Sequence, residues 1–141
     1  MCRFPGCGAA ARLDFQLRIA APKPYQPDAA LLARLKTKNV TVTEDLDAAA
    51  EGADVLYTDV WVSMGKEDEA AYRQAQLGGY QINSALVAKA RPGALVMHCL
   101  PAYRGKEITE EVLEAHAETI FTQAENRLHA QKAILSILAR S

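Results

Sequence analysis

Three short segments of this sequence carry residue types that could do chemistry together. The first is Asp59-Val60-Trp61-Val62-Ser63-Met64-Gly65, the second Cys99-Leu100-Pro101-Ala102-Tyr103-Arg104-Gly105 just after His98, and the third Gln123-Ala124-Glu125-Asn126-Arg127. Together they offer a carboxylate, a hydroxyl, a thiol, an imidazole and a guanidinium. Arginine presents a fixed fork of donors to an anion. A carboxylate, thiol or imidazole can hold or accept the proton of an amine. The set therefore suits an anionic ligand that bears an amine, without yet defining a reaction.

Each residue also has a purely structural alternative. Asp59 could cap a turn, and Ser63 could cap the acidic helix that follows it. Cys99 could be a small buried hydrophobe, the commoner fate of a free cysteine. His98, at a strand end, fits a hydrogen-bonded structural histidine. Arg127 reads as the start of a helix, where positive charge is mildly unfavourable. That points to an anion partner or to a surface salt bridge. His116 and His129 read as solvated helix residues. Gly6 and Gly8 are a weak phosphate-loop signal, since no strand precedes them.

Composition narrows the classes. Of 141 residues, half are apolar and 23% charged, with 16 lysines and arginines against 17 aspartates and glutamates and a net charge of −1. This is ordinary globular usage, and the length favours one domain. A near-balanced charge argues against non-specific nucleic-acid binding. No stretch reaches the ~18 apolar residues of a membrane span. The best candidate, 53–62, contains Asp54 and Asp59. No secretory signal is read at the N-terminus. Three cysteines, Cys2, Cys7 and Cys99, are too sparse for a disulfide scaffold and lack the spacing of a zinc site. A reduced, cytoplasmic compartment is the expectation.

The elements that must position these loops alternate in type. Strands are expected at 16–21, 39–43, 54–58, 94–98 and 119–122, where β-branched runs end at proline, glycine or polar residues. Helices are expected at 29–36 with Asp28 as N-cap, 45–51, about 67–76, 82–90, 109–117 capped by Thr109, and from Ala124 nearly to the end. The near-continuous apolar run at 54–58 suggests a parallel strand covered on both faces. The alternation implies an α/β fold: an open, mostly parallel sheet with helices on both sides in three αβα layers. In such sheets ligands bind beyond the C-terminal strand ends. All three loops occupy that edge, so Asp59, Cys99 and Arg127 are expected at one rim. Residues 1–8 show no periodicity and are expected to be an irregular segment, with the domain running over 9–141.

At these loops the sequence resembles the ornithine carbamoyltransferases. Asp59 to Gly65 is similar to their D-x-x-x-S-M-G signature, His98-Cys99-Leu100-Pro101 to their H-C-L-P motif, and Glu125-Asn126-Arg127 to the E-N-R of their last long helix. Ile19-Ala20-Ala21-Pro22-Lys23 and Tyr25-Gln26-Pro27 fit the upstream strand and loop, so the likeness covers about residues 9–141. The resemblance implies the Rossmann-like second domain of these enzymes, incomplete at its N-terminus. It implies transfer of the carbamoyl group of carbamoyl phosphate to the δ-amine of L-ornithine, giving citrulline and phosphate, with no metal or cofactor. By the same resemblance Asp59, Ser63 and Met64 hold ornithine. Cys99, Leu100 and Arg127 meet carbamoyl phosphate, and Asp59, Cys99 and Arg127 are the catalytic set. Neither nucleic acid nor membrane is an implied partner, and the complete family enzyme is a homotrimer. The Leu100–Pro101 bond is expected to be cis, because X–Pro is the common cis bond and the turn would bring the loop carbonyls to the ligand.

The family's S-T-R-T-R and H-P-x-Q segments, which grip the phosphate, do not occur in these residues, nor does the G-D-G-N-N turn. A truncated or frame-shifted start is the expected reason. Three outcomes stay open: an ornithine carbamoyltransferase; an inactive fragment that serves as a structural or weak ornithine-binding domain; and a generic nucleotide-binding α/β module, which the lack of a glycine-rich loop after a strand disfavours.

Overall fold

The computed structural model describes residues 5–62 and 70–140. Its contacts divide the chain into two compact units, Met1–Ala49 and Ala50–Ser141. In the first unit, helix α1 (Pro5–Ala10) leads to strand β1 (Leu17–Ala20), helix α2 (Ala29–Leu35), strand β2 (Val40–Thr43) and helix α3 (Leu46–Ala50). β1 and β2 pair in parallel, Leu17 against Val40 through Ala20 against Thr43. Asp28 caps α2 by accepting the Ala30 amide at 2.8 Å, and α2 ends at Lys36 with φ 49°. α1 packs on β1 and α2.

Residues 5–8 were expected to be irregular and instead lie in α1. Proline suits a first helical turn, where its missing N–H costs nothing. Cys7 and Ala10, three apart on one face, are fully buried. Burial, not propensity, holds this short helix.

The second unit carries the candidate loops. Strand β3 (Val55–Thr58) is followed by helices α4 (Ala70–Leu77) and α5 (Ser84–Val87), strand β4 (Leu95–His98), α6 (Glu110–Ala115) and the long α7 (Ala117–Leu138). β3 and β4 pair in parallel, Val55 with Leu95 and Thr58 with His98. Leu56, Val96 and His98 face the core, joined there by Ile108, Val112, Leu113 and Ile120, while α7 packs against β4. A fully buried isoleucine such as Ile108 or Ile120 contributes about 1.5–3 kcal/mol of burial free energy. The other face of the pair is open: Val55, Tyr57 and Leu95 are all about half exposed. β3 is thus covered on one face, not on both as its apolar run suggested.

Parallel pairing and helix–strand alternation bear out the α/β class, with the strands in two hydrogen-bonded pairs. Two expected elements differ. Residues 119–122, read as a fifth strand, belong to α7. That tetrapeptide buries only Ile120, and the alanine, glutamate and glutamine around it are good helix formers that carry it along. The helix expected over 82–90 shortens to α5. Asn83 caps it by accepting the Leu86 amide at 2.9 Å, which leaves Ile82 extended in a bridge with Ile108. The helix expected at 67–76 is observed as α4 (Ala70–Leu77), and residues 67–69 lie outside the described residues.

Candidate functional site

Because Thr58 pairs with His98, the next residues, Asp59 and Cys99, leave adjacent parallel strands side by side at their C-terminal ends. The Cys99 thiol donates to Asp59 Oδ1 at 2.9 Å, and the Val60 amide donates to the same oxygen at 2.7 Å. Burial and then the Asp59 carboxylate push the thiol up to about 11. Cys99 is therefore a protonated hydrogen-bonding group at neutral pH and not a thiolate nucleophile. Tyr57 lies two residues before Asp59, on the same strand face. Burial, then Cys99 and Asp59, push its phenol up to about 12.

The loop after β4 is held by a buried network. His98 Nδ1 accepts the Leu100 amide at 2.9 Å, which places the ring proton on Nε2. Nε2 in turn meets Glu107 Oε1 at 3.3 Å, and the Tyr103 amide donates to that same oxygen at 2.6 Å. Both His98 and Glu107 are fully buried. Burial alone would raise the Glu107 carboxyl, but hydrogen bonds from His98 and from backbone amides win and hold it below the usual carboxylate range. The Leu100–Pro101 peptide is cis, as expected, and Leu100 has φ 54°. Beyond the loop, the Ile82 amide donates to Glu107 O at 2.9 Å, and Gln81 Nε2 donates to Lys106 O at 2.7 Å. His98 is thus the hydrogen-bonded structural histidine.

The third segment does not begin a helix. Arg127 is the eleventh residue of α7, so a helix-start argument for an anion partner falls away. Arg127 is exposed. It lies one turn after Gln123, on the same helix face. Gln123 Oε1 accepts the His98 amide at 3.0 Å. The structure therefore brings Asp59 and Cys99 into contact and sets Arg127 a helical turn away from Gln123, which touches the same strand ends. Leu100 sits in the loop between. Ser63 and Met64 lie outside the described residues. Among the described residues no cluster of three His, Cys, Asp or Glu side chains could hold a metal ion.

The family model described as aspartate/ornithine carbamoyltransferase, Asp/Orn binding domain, matches residues 7–138. The chain belongs to this family. An ornithine carbamoyltransferase of Syntrophotalea carbinolica is 49% identical over 132 residues, covering 92% of this chain and 44% of the relative. One from Methanoculleus marisnigri is 52% identical over 129 residues, covering 90% of this chain and 42% of the relative. The crystal structure of an anabolic ornithine carbamoyltransferase from Campylobacter jejuni superposes with a TM-score of 0.85 at 36% identity, over 93% of this chain and 45% of that one. The chain spans a little under half the length of the curated relatives it matches.

Within this carbamoyltransferase domain, three site residues were not singled out from sequence. Tyr57 had a signal: it shares the β3 face of Asp59 by strand alternation. Gln123 stood in the third loop without a role, because its partner is a backbone amide on another element. Glu107 had no local signal, since only the folded loop brings it to His98.

Proposed function

We propose that this chain supplies the ornithine-binding half of an ornithine carbamoyltransferase. In the reaction the δ-amine of L-ornithine, having lost a proton, forms a bond to the carbamoyl carbon. The carbon–oxygen bond to phosphate breaks, and phosphate leaves with the electron pair. Citrulline and phosphate result, a step in arginine synthesis, in the cytoplasm. The observation that carries this reading is the 2.9 Å contact between the Cys99 thiol and Asp59 Oδ1 at the mouth of two parallel strands. A carboxylate beside a protonated sulfur can seat the amine and accept its hydrogen bonds.

In this reading Asp59, Ser63 and Met64 hold ornithine. Thiol and Val60 amide both use Oδ1 of Asp59, which leaves Oδ2 to meet the ammonium. Cys99 and Leu100 contact the carbamoyl group. Arg127 pairs with carbamoyl phosphate and stabilises charge on its oxygens. Asp59, Cys99 and Arg127 form the catalytic set, acting through orientation and charge rather than a covalent intermediate. Residues 9–141 form the ornithine domain, and the complete enzyme assembles as a homotrimer. A second reading is a structural or weak ornithine-binding domain without turnover.

Titration of the chain with L-ornithine, followed by backbone amide NMR, tests both. We expect millimolar binding, with the largest shifts at Asp59, Val60 and Cys99. Asp59→Asn should weaken it about tenfold while moving the thermal midpoint little, because an exposed side chain contributes within about 0.5 kcal/mol. Unchanged affinity in Asp59→Asn, or parallel losses of affinity and midpoint, would overturn the proposed role of Asp59.

A further inference from the structure

We propose that the outer length of α7 is a docking surface for α7 of a second copy of this chain, the two helices lying antiparallel. The first turns of α7 belong to the domain: Ile120 is fully buried and Gln123 Oε1 holds the His98 amide. From Glu125 to the end of the helix every residue is exposed. That is about four turns of helix beyond the core. A helix of that length is marginal in water on propensity alone and ordinarily relies on packing of an apolar face. This one carries such a face on its surface. Leu128, Ile134, Leu135, Ile137 and Leu138 are between 57% and 68% exposed, and Phe121 nearer the base is 57% exposed. So contiguous an exposed apolar surface marks an interaction site.

Its spacing indicates what covers it. Phe121, Ala124, Leu128, Gln131, Leu135 and Leu138 succeed one another by three and four residues, the seam of a two-helix coiled coil. An antiparallel copy lays Phe121 against Leu138, Ala124 against Leu135 and Leu128 against Gln131. Each pairing is made twice about a two-fold axis, so the assembly closes at two chains. The flanking charges decide the direction. Glu125 and Lys132 border the seam on one side, Arg127 and Ile134 on the other. In the antiparallel pair Glu125 of each copy meets Lys132 of the other, and Arg127 lies beside Ile134. A parallel pair would instead set Arg127 of each copy against Lys132 of the other, and like charges repel. Within its own helix Glu125 gives Oε1 to His129 at 3.4 Å, which leaves Oε2 for the lysine.

Sedimentation equilibrium of the intact 141-residue chain, from about 5 to about 500 µM, tests this. A seam this short, with a glutamine in it, gives a weak dimer with a Kd of roughly 10–100 µM and no larger species. Leu135→Glu buries a carboxylate in the seam and should keep the chain monomeric throughout. Lys132→Glu turns two attractions into two repulsions and should weaken the dimer about three- to tenfold, and adding Glu125→Lys should restore the original Kd within about twofold. Both charge changes lie on exposed positions, so they read the dimer even where Leu135→Glu disturbs the helix. A wild-type chain that stays monomeric would overturn the inference and leave the face to a different protein segment or a lipid surface. Growth beyond two chains, a dimer indifferent to Leu135→Glu, or one unmoved or tightened by Lys132→Glu would overturn it as well; tightening is the mark of the parallel pair. Neither substrate takes part, and the trimer proposed for the complete enzyme is a separate matter, so failure here leaves the functional reading in place.

Discussion

Incubated with L-ornithine and carbamoyl phosphate, this 141-residue chain on its own is expected to form citrulline at less than about a thousandth of the rate of a full-length family enzyme. Holding two reactants in line lowers a barrier by up to ~7–11 kcal/mol, and losing a fraction of that suffices for a thousandfold drop, since 1.36 kcal/mol is tenfold. The described strand ends present a thiol and a carboxylate, with Arg127 exposed on α7. They do not present the arginine-rich S-T-R-T-R grip that the family resemblance assigns to phosphate. One guanidinium can meet a phosphoryl group without fixing its line of departure. A colorimetric citrulline assay on purified chain measures this directly. Turnover within tenfold of a complete enzyme would show that Asp59, Cys99 and Arg127 orient both substrates unaided.

The largest stability effect should come from Glu107, a residue with no surface exposure. Glu107→Ala removes the shared acceptor of the His98 Nε2–H and the Tyr103 amide. One fully buried donor and one half-buried donor then go unpaired, at roughly 1–3 kcal/mol each. A loss of about 3 kcal/mol in denaturant unfolding is expected. Glu107→Gln keeps an oxygen for both donors and should cost clearly less. The pH dependence has a definite sign. The folded carboxyl is held below its ordinary value of 4.5, so its contribution is full above that value and is lost as pH falls through the lower folded value. The gap between wild type and Glu107→Ala should therefore narrow only in acid. A gap that is constant down to pH 3, or a Gln variant as weak as the Ala variant, would mean that Glu107 acts by packing alone.

Local chemistry explains which parts of the fold could be read in advance. β1 to β4 stand within one or two residues of their expected bounds because each is a β-branched run flanked by breakers. Asp28 and Thr109 cap helices where expected, Thr109 by accepting the Val112 amide at 3.3 Å. Failures occur where tertiary context outweighs propensity. Thr119-Ile120-Phe121-Thr122 has a strand's composition but no partner strand, and α7 absorbs it. α1 forms from a glycine-containing segment because Cys7 and Ala10 find burial.

The same division holds at the site. Asp59 and Cys99 were legible because the ends of parallel strands converge and their motifs name them. Arg127 was legible as a residue but not in its placement, which depended on where α7 begins. Tyr57, Gln123 and Glu107 needed the register of β3 on β4 and the folding back of the loop, neither of which is written in local sequence.

The engagement of both His98 ring nitrogens has a chemical corollary. Acylating reagents such as diethyl pyrocarbonate require an accessible, unprotonated imidazole nitrogen. In His98 one nitrogen holds the Leu100 amide and the other faces Glu107, with no surface exposed. His129, whose side chain is 61% exposed, is open to such a reagent. Carbethoxylation of the folded protein thus marks the outer helix and spares the hinge of the loop, and the appearance of label at His98 becomes a clock for its opening.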